Sequence, residues 1–386
     1  MSVALHLSRS GRDVAAEIAW PDTEDARRAR DYLAPILREG SSFVAPNVEA
    51  DVGVAVVDGE VVPYTVSRER DDQSYVVSPY THYITYGAEE IEKLETPALE
   101  RPLRTIVAGL GRVFRRARFD RVVYVDNWLT STTLHAPLGR ASWSSLIEAL
   151  RDAHPDHAIV VRGVDRRVSL QLSSDLAALG ARLVFSRRVL FQDPSETLRR
   201  RDARRDAALL ARALAEGAYR VRDARELDDA ELARATELYD LLYVVKWSRH
   251  NPQLTTRYVT HAIRSGFLEG KALVSRDGSL DGVYAAWSRH GLYYVPVLGY
   301  DTRLPRALGL YRMLAALSSD DALAQRALVH DSAGVSDFKQ NRGAVPVLEH
   351  LAVFDRHLPL RRRAPWRVLG TLMDHVGAPL IERFDL

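Results

Sequence analysis

Residues 331–346 read DSAGVSDFKQNRGAVP. Phe338 and Lys339 stand four and three residues ahead of the pair Arg342-Gly343, directly after a long apolar helical pattern. The glycine opens a pattern that occurs once before. Gly343, Ala344, Val347 and Phe354 repeat Gly180, Ala181, Val184 and Phe191 at a constant offset of 163 (343 − 180 = 163; 354 − 191 = 163). Each copy reads as a helix end, a glycine turn and a β-branched strand.

The repeat extends outward. Each half carries a hairpin signal, VGVAVVDGEVVPYTV around Asp58-Gly59 and KALVSRDGSLDGVYAAW around Asp277-Gly278. In both, Asp-Gly would supply the positive φ of a type I′ turn. Strands are expected next, over SYVVSPYTHYITYG in the first half and GLYYVPVLGYDT in the second. The pattern predicts an α/β (α+β) protein of two similar lobes, each a mixed central sheet flanked by helices. The cut is expected between residues 194 and 195, giving lobes 1–194 and 195–386. Asp58 to Gly180 spans 122 residues and Asp277 to Gly343 only 66, so the first lobe carries an insertion, placed at a helix over 98–117 and the strand RVVYVDNW.

Joining the lobes is PSETLRRRDARRDAALLARALAEGAYRV, read as one helix of roughly six turns from an N-cap at Ser195 to a C-cap at Gly217. Arg201, Arg204, Arg205 and Arg212 share much of one face. A second helix runs from Asp229 to SRHNPQLT, where Asn251-Pro252 breaks it and Thr255 or Thr256 opens the next. WRVLGTLMDHVGAPLIERF closes the chain as a terminal amphipathic helix.

The 386 residues suit two cores, and 46% hydrophobic with 27% charged residues describes a globular protein. No cysteine is present, which excludes disulfides, thiolate ligands and a cysteine nucleophile. With neither a basic leader nor an apolar span, the expected place is the cytoplasm, with no membrane partner. The net charge is +2, so the chain is not broadly cationic and DNA is not expected, but its arginines cluster locally. No HExxH, Walker loop or Ser-His-Asp order occurs, so neither a metal nor a covalent intermediate is expected.

Two lobes, a helix entering the second, an Asp-Gly hairpin, a strand, a long helix and a closing Phe338-Lys339 to Gly343-Ala344 strand entry resemble the Fem-type aminoacyltransferases and their tandem GNAT relatives. The order of elements carries the likeness over most of the chain, and the specific motif over Leu310 to Pro346. The resemblance implies tandem GNAT-like lobes and direct transfer of an aminoacyl group from aminoacyl-tRNA to a small amine, as in natural-product assembly, with no permanently bound cofactor. It places Lys339 at the donor ester. The chain departs from the pattern in having Arg342 before the glycine and no coiled-coil arm, which speaks against a peptidoglycan acceptor.

The chemistry gives that lysine a reason. When an amine attacks an ester or thioester, negative charge grows on the carbonyl oxygen, and a fixed ammonium stabilises it. Arg342 could hold a donor phosphate by its fork, with Phe338 beside it and Arg201, Arg204 and Arg205 on the helix as further donor contacts. A coenzyme A thioester would need a turn of the type Q/R-x-x-G-x-G/A. GYDTRLPRALGLYRML supplies Arg306 and Gly309 but has Tyr311 at the last position. That favours tRNA or a carrier-protein thioester and keeps coenzyme A as the alternative. Candidates for the base and its surroundings cluster in YDLLYVVKWSRHNPQ: Tyr239, Asp240, Tyr243, Lys246, Arg249 and His250, of which Tyr243 and His250 are catalytic candidates and Lys246 and Arg249 acceptor-binding ones. Tyr294 and Tyr300 on the second lobe's strand, and Asp126, Asn127 and Trp128 at the end of RVVYVDNW, complete the acceptor set. His82 and Tyr83 are weaker candidates of that kind. A second alternative is a non-catalytic protein that holds RNA on its arginine-rich helix.

Overall fold

The computed structural model describes residues 3–8, 13–70, 72–92 and 97–379. In chain order the first half runs β1 (Ala4–Leu7), α1 (Val14–Glu17), α2 (Glu24–Glu39), β2 (Ala50–Val57), β3 (Glu60–Ser67), a π-helical turn (Thr81–Thr85), α3 (Tyr86–Glu92) and α4 (Pro97–Arg116). It continues with β4 (Val122–Val125), α5 (Arg140–Ala153), β5 (Ala158–Val164), α6 (Leu170–Ala178) and β6 (Arg182–Gln192). The second half runs α7 (Pro194–Thr197), α8 (Arg201–Ala215), β7 (Tyr219–Asp223), α9 (Asp229–Tyr239), a π-helical turn (Asp240–Val245) and α10 (Thr256–Arg264). Then follow β8 (Glu269–Ser275), β9 (Leu280–Arg289), β10 (Leu292–Tyr300), α11 (Leu310–Ala324), β11 (Leu328–His330), α12 (Ser336–Gln340), β12 (Val345–Phe354) and α13 (Leu360–Leu372).

The chain divides into two compact units. Unit one holds residues to 187, 248–252 and 348–384, and unit two holds 188–247 and 253–347. The expected cut at 194/195 lies seven residues beyond the first boundary. Unit one's later segments belong to it through tertiary pairing, which no linker composition announces.

Both units are built to one plan. In unit one the strand order is β1-β2-β3-β4-β5-β12, antiparallel throughout except for the parallel pair β4/β5. In unit two it is β7-β8-β9-β10-β11-β6, antiparallel except for the parallel pair β10/β11. The sixth strand of each plan comes from the opposite half of the chain. These are the strands of the repeat: β6 begins at Arg182 and β12 at Val345, again 163 apart (345 − 182 = 163). Each follows a glycine in the same left-handed conformation, φ 96° at Gly180 and 93° at Gly343, which side chains rarely adopt.

Each sheet buries both faces, so its strands are runs of Val, Ile, Leu and Ala rather than strict alternations. In unit one Trp143, Leu146 and Leu150 of α5 cover one face, and Phe114 of α4 with Trp366 and Leu369 of α13 cover the other. In unit two Leu210 of α8 and Met313, Leu314 and Leu317 of α11 pack on Leu273 and Tyr284. No described helix is long and apolar enough to cross a membrane.

Three local expectations are corrected. Residues 74–87 are not a strand. They turn and enter the π-helical turn and α3, because Ser78 accepts from the Thr81 N–H (2.9 Å) and Asp120 accepts from the Tyr80 N–H (2.8 Å). Ser78-Pro79 is thus a helix start that the aromatic and β-branched content masks. Asp58 (φ 49°) and Gly59 (φ 80°) form the expected two-residue turn, whereas only Gly278 (φ 92°) is left-handed in the second hairpin. There the loop runs from Arg276 to Ser279, with a register shift at Leu273/Val274. The interlobe helix is two helices: Asp193, not Ser195, is the cap of α7, and α8 starts afresh after Arg200.

Close approach of backbones sets α9 against β10. A Cβ on Gly299 would lie 2.4 Å from the Leu238 carbonyl carbon and the Tyr239 nitrogen. Gly299→Ala should therefore cost about 2 kcal/mol or more, read as a lowered urea midpoint with an unchanged slope.

Candidate active site

In unit two the parallel strands β10 and β11 stay together for three residue pairs, from Leu292/Leu328 to Tyr294/His330. Past that point they part. An extra residue at Val295-Pro296 shifts the register of β10 against β9, and β10 runs on to Tyr300 while β11 ends. A bulge bends its strand and re-aims side chains. The opening at the carboxyl ends of two parallel strands is where α/β sheets take ligands, and backbone groups released there can pair with an extended amide chain.

Aromatic side chains gather at this opening. Tyr311, in the first turn of α11, packs against Tyr300 at 6.0 Å and Phe338 at 4.7 Å between ring centroids. Tyr294 meets the His330 ring edge-on at 6.3 Å. Tyr243, in the π-helical turn, stacks on Tyr239 at 4.9 Å. Burial, with Asp331, Tyr243 and Tyr300 nearby, raises the Tyr311 hydroxyl well above its ordinary pKa, so it stays protonated and can donate.

Lys339 is 6% exposed. Its ammonium donates to the carbonyl oxygens of Asp331 and, at 3.1 Å, Ala333, and lies 3.9 Å from the Asp331 carboxylate. It thereby holds a loop in which Ser332 (φ 54°), Gly334 (φ 81°) and the β-branched Val335 (φ 46°) are left-handed. For the non-glycine residues Ser332 and Val335 such backbone costs of order 1–3 kcal/mol each, and it concentrates at functional sites. Burial raises the pKa of Asp331, and Lys339 opposes the rise.

Arg342 is also buried. Its Nε donates to Asp206 Oδ2 (2.6 Å), its Nη1 donates to the Phe338 carbonyl (2.6 Å), and its guanidinium sits 3.3 Å from the Phe338 ring centre. Asp206 accepts at its other oxygen from Arg312 Nε (2.5 Å). Arg201, Arg204 and Arg205 are exposed on α8, and Arg306 is exposed on the loop before α11. Gly309 caps α11 in a left-handed conformation (φ 69°), and a Cβ there would lie 2.6 Å from Leu209 of α8. Lys246 is exposed beside the Trp247 ring.

The remaining candidates lie in unit one. Asp126 is fully buried; it accepts from Trp128 Nε1 (2.8 Å) and the Ala136 N–H (2.9 Å) and faces His135. Asn127 donates to Thr65 Oγ1 and the Val76 carbonyl. These three residues tie the end of β4 to its surroundings. Arg249 pairs with Asp72 (3.0 Å), and His250 is buried with Nε2 3.4 Å from Glu89 Oε1.

Asp240 is one of the candidates read in YDLLYVVKWSRHNPQ, whereas Asp331 and His330 escape sequence reading. Asp240 opens the π-helical turn; its Oδ1 is buried without a hydrogen-bond partner, and burial pushes its pKa up to about 6. A π-helical turn, common at functional sites, leaves no signature in the helix's apolar pattern.

No protein-family model and no curated protein matches the chain. Solved structures do. The chain is similar to proteins of the Fem and tandem GNAT kind. FemX is 10% identical with a TM-score of 0.48 over 83% of this chain and 90% of that one. A tandem GNAT protein from the clavulanic acid biosynthesis pathway is 13% identical with a TM-score of 0.40, covering 93% and 99%. L-PGS from Bacillus licheniformis is 13% identical with a TM-score of 0.45, covering 60% and 79%. Such identities carry no substrate from one protein to another.

The raised Asp240 pKa has a definite sign. The folded state holds this proton more tightly than the unfolded state, so Asp240 contributes no penalty below about pH 4 and an increasing one as pH rises through about 6. Asp240→Asn should be more stable than the parent at pH 8, and the difference should shrink at pH 4.5, measured by urea unfolding at both pH values.

Proposed function

We propose that the chain is an N-acyltransferase that forms an amide by direct transfer of an aminoacyl group from aminoacyl-tRNA to a small amine held at the β10/β11 opening. The parting of those strands carries this reading. It offers a slot for an extended acyl arm, aromatic walls that exclude water, and a buried cation behind the loop that follows β11. An attacking amine must be neutral, and Asp240, with a pKa near 6 and a free oxygen, suits proton acceptance near neutrality. The Lys339 ammonium acts through its field on the oxygen that gains charge and by fixing the loop.

The surroundings of α11 favour tRNA over coenzyme A. Leu209 closes one side of Gly309, where a pyrophosphate would have to approach the backbone, and Tyr311 occupies the first turn. Arg201, Arg204, Arg205 and Arg306 instead present exposed cations suited to a polyphosphate backbone. A coenzyme A or carrier-protein thioester is the alternative donor.

An amide-formation assay with charged tRNAs, acyl-CoAs and pooled amines tests this. Labelled product that RNase pretreatment abolishes is expected; product from thioesters only would overturn the tRNA donor. Lys339→Ala is expected to lower kcat by about a hundredfold, with circular dichroism and thermal unfolding confirming that the loop's loss has not unfolded the chain.

A further inference from the structure

Unit one repeats the plan of unit two, and its parallel pair β4/β5 also ends short, here with β5 running on past β4. The last paired residues are Val125 and Val161, and Arg162 is the next residue on β5. The register of β5 against β12 shifts here, three residues (Val161 to Val164) against two (His350 to Ala352), and Gly163 is left-handed (φ 71°). This bulge re-aims Arg162. Arg162 is 9% exposed; its guanidinium lies over the Tyr124 ring at 5.3 Å and donates only to neutral acceptors: the Val76 carbonyl (3.1 Å), Asn127 Oδ1 (3.3 Å) and the Ser131 carbonyl (3.5 Å).

Among the described residues Arg162 forms no ion pair. The nearby acid, Glu349, is engaged by Arg187 through two bonds of 2.8 and 3.2 Å. Buried charges are paired in folded proteins, because desolvating an ion without a counter-charge is costly. Arg162 also borders a cavity of about 10 Å³ together with Tyr75, His82, Tyr124, Ser186 and the Arg187–Glu349 pair. The hydroxyls of Tyr75 and Tyr124 have no hydrogen-bond partner among the described residues. His82, whose pKa burial and the arginines depress to about 3, is neutral and bonds Ser186 Oγ at 3.0 Å. Arg162, Arg187 and Glu349 sum to one positive charge. The site lacks one negative group.

We propose that this cavity in unit one is an anion site that takes a carboxylate oxygen of a small molecule, with Arg162 as the counter-ion and the Tyr124 and Tyr75 hydroxyls as further donors. The guanidinium fork matches a flat carboxylate, and a volume of about 10 Å³ has room for one of its oxygens. The site rests only on unit one.

Isothermal titration of the full chain with the twenty amino acids, succinate, glycinamide, succinamide and inorganic phosphate tests it. At least one carboxylate should bind ten times more tightly than its matched amide. Arg162→Gln should abolish that preference, and Tyr124→Phe, which keeps the ring, should weaken binding several-fold at unchanged thermal stability. The proposal is overturned if no carboxylate binds, if amides bind equally, if phosphate binds more tightly than any carboxylate, or if both variants bind like the parent. Carboxylate binding without acyl transfer from any donor would remove the proposed function and leave the site.

Discussion

One buried carboxylate organises unit two. Asp206, 2% exposed on α8, accepts from Arg312 of α11 and from Arg342 just after α12. Three helical segments therefore share one charge centre, and each carries part of the candidate site: the exposed arginines, the Gly309 turn with Tyr311, and Lys339. The group is held by two charge-assisted bonds in a poorly solvated place, where losing one partner leaves a buried ion exposed to the full desolvation cost. Arg342 is the member that sequence reading assigns to a donor phosphate. Its fork is turned inward to Asp206 and Phe338, and the residues of the arginine cluster that face solvent are those of α8.

The same economy appears in the loop that follows β11. Three left-handed residues in a row of four would not hold their shape unaided, and the Lys339 ammonium, bonded to two carbonyl oxygens, supplies the restraint. Structural and chemical roles of a buried lysine are not exclusive: the desolvation that makes its hydrogen bonds strong also gives its charge a long reach.

How much of this was legible in the sequence follows from which signals are local. Two α/β lobes could be read because glycine turns, hairpins and strands recur with one offset, and the glycines at 180 and 343 proved to share one backbone conformation. Residues 74–87 misled because their content is β-like while the helix is started by Ser78 and by Asp120, forty-two residues away. Phe338 and Lys339 stood out as a motif, and Phe338 packs on Tyr311, which was read as the residue that departs from a coenzyme A turn. Asp126, Asn127 and Trp128 had the look of ligand groups at a strand end, yet their polar atoms are spent on neighbours in the core. Arg162 gave no sign at all, because its significance is the carboxylate it lacks, and that depends on Glu349 having been claimed by Arg187.

The exchange of sixth strands sets an order of events during synthesis. β5 is complete at Val164, but its partner β12 ends at Phe354, 190 residues later (354 − 164 = 190). At about 5–20 residues per second, the ribosome needs roughly 10–40 seconds to supply it. Through that interval the edge of β5 stays open while the whole of unit two is being made, so the half of the protein born first is the half finished last.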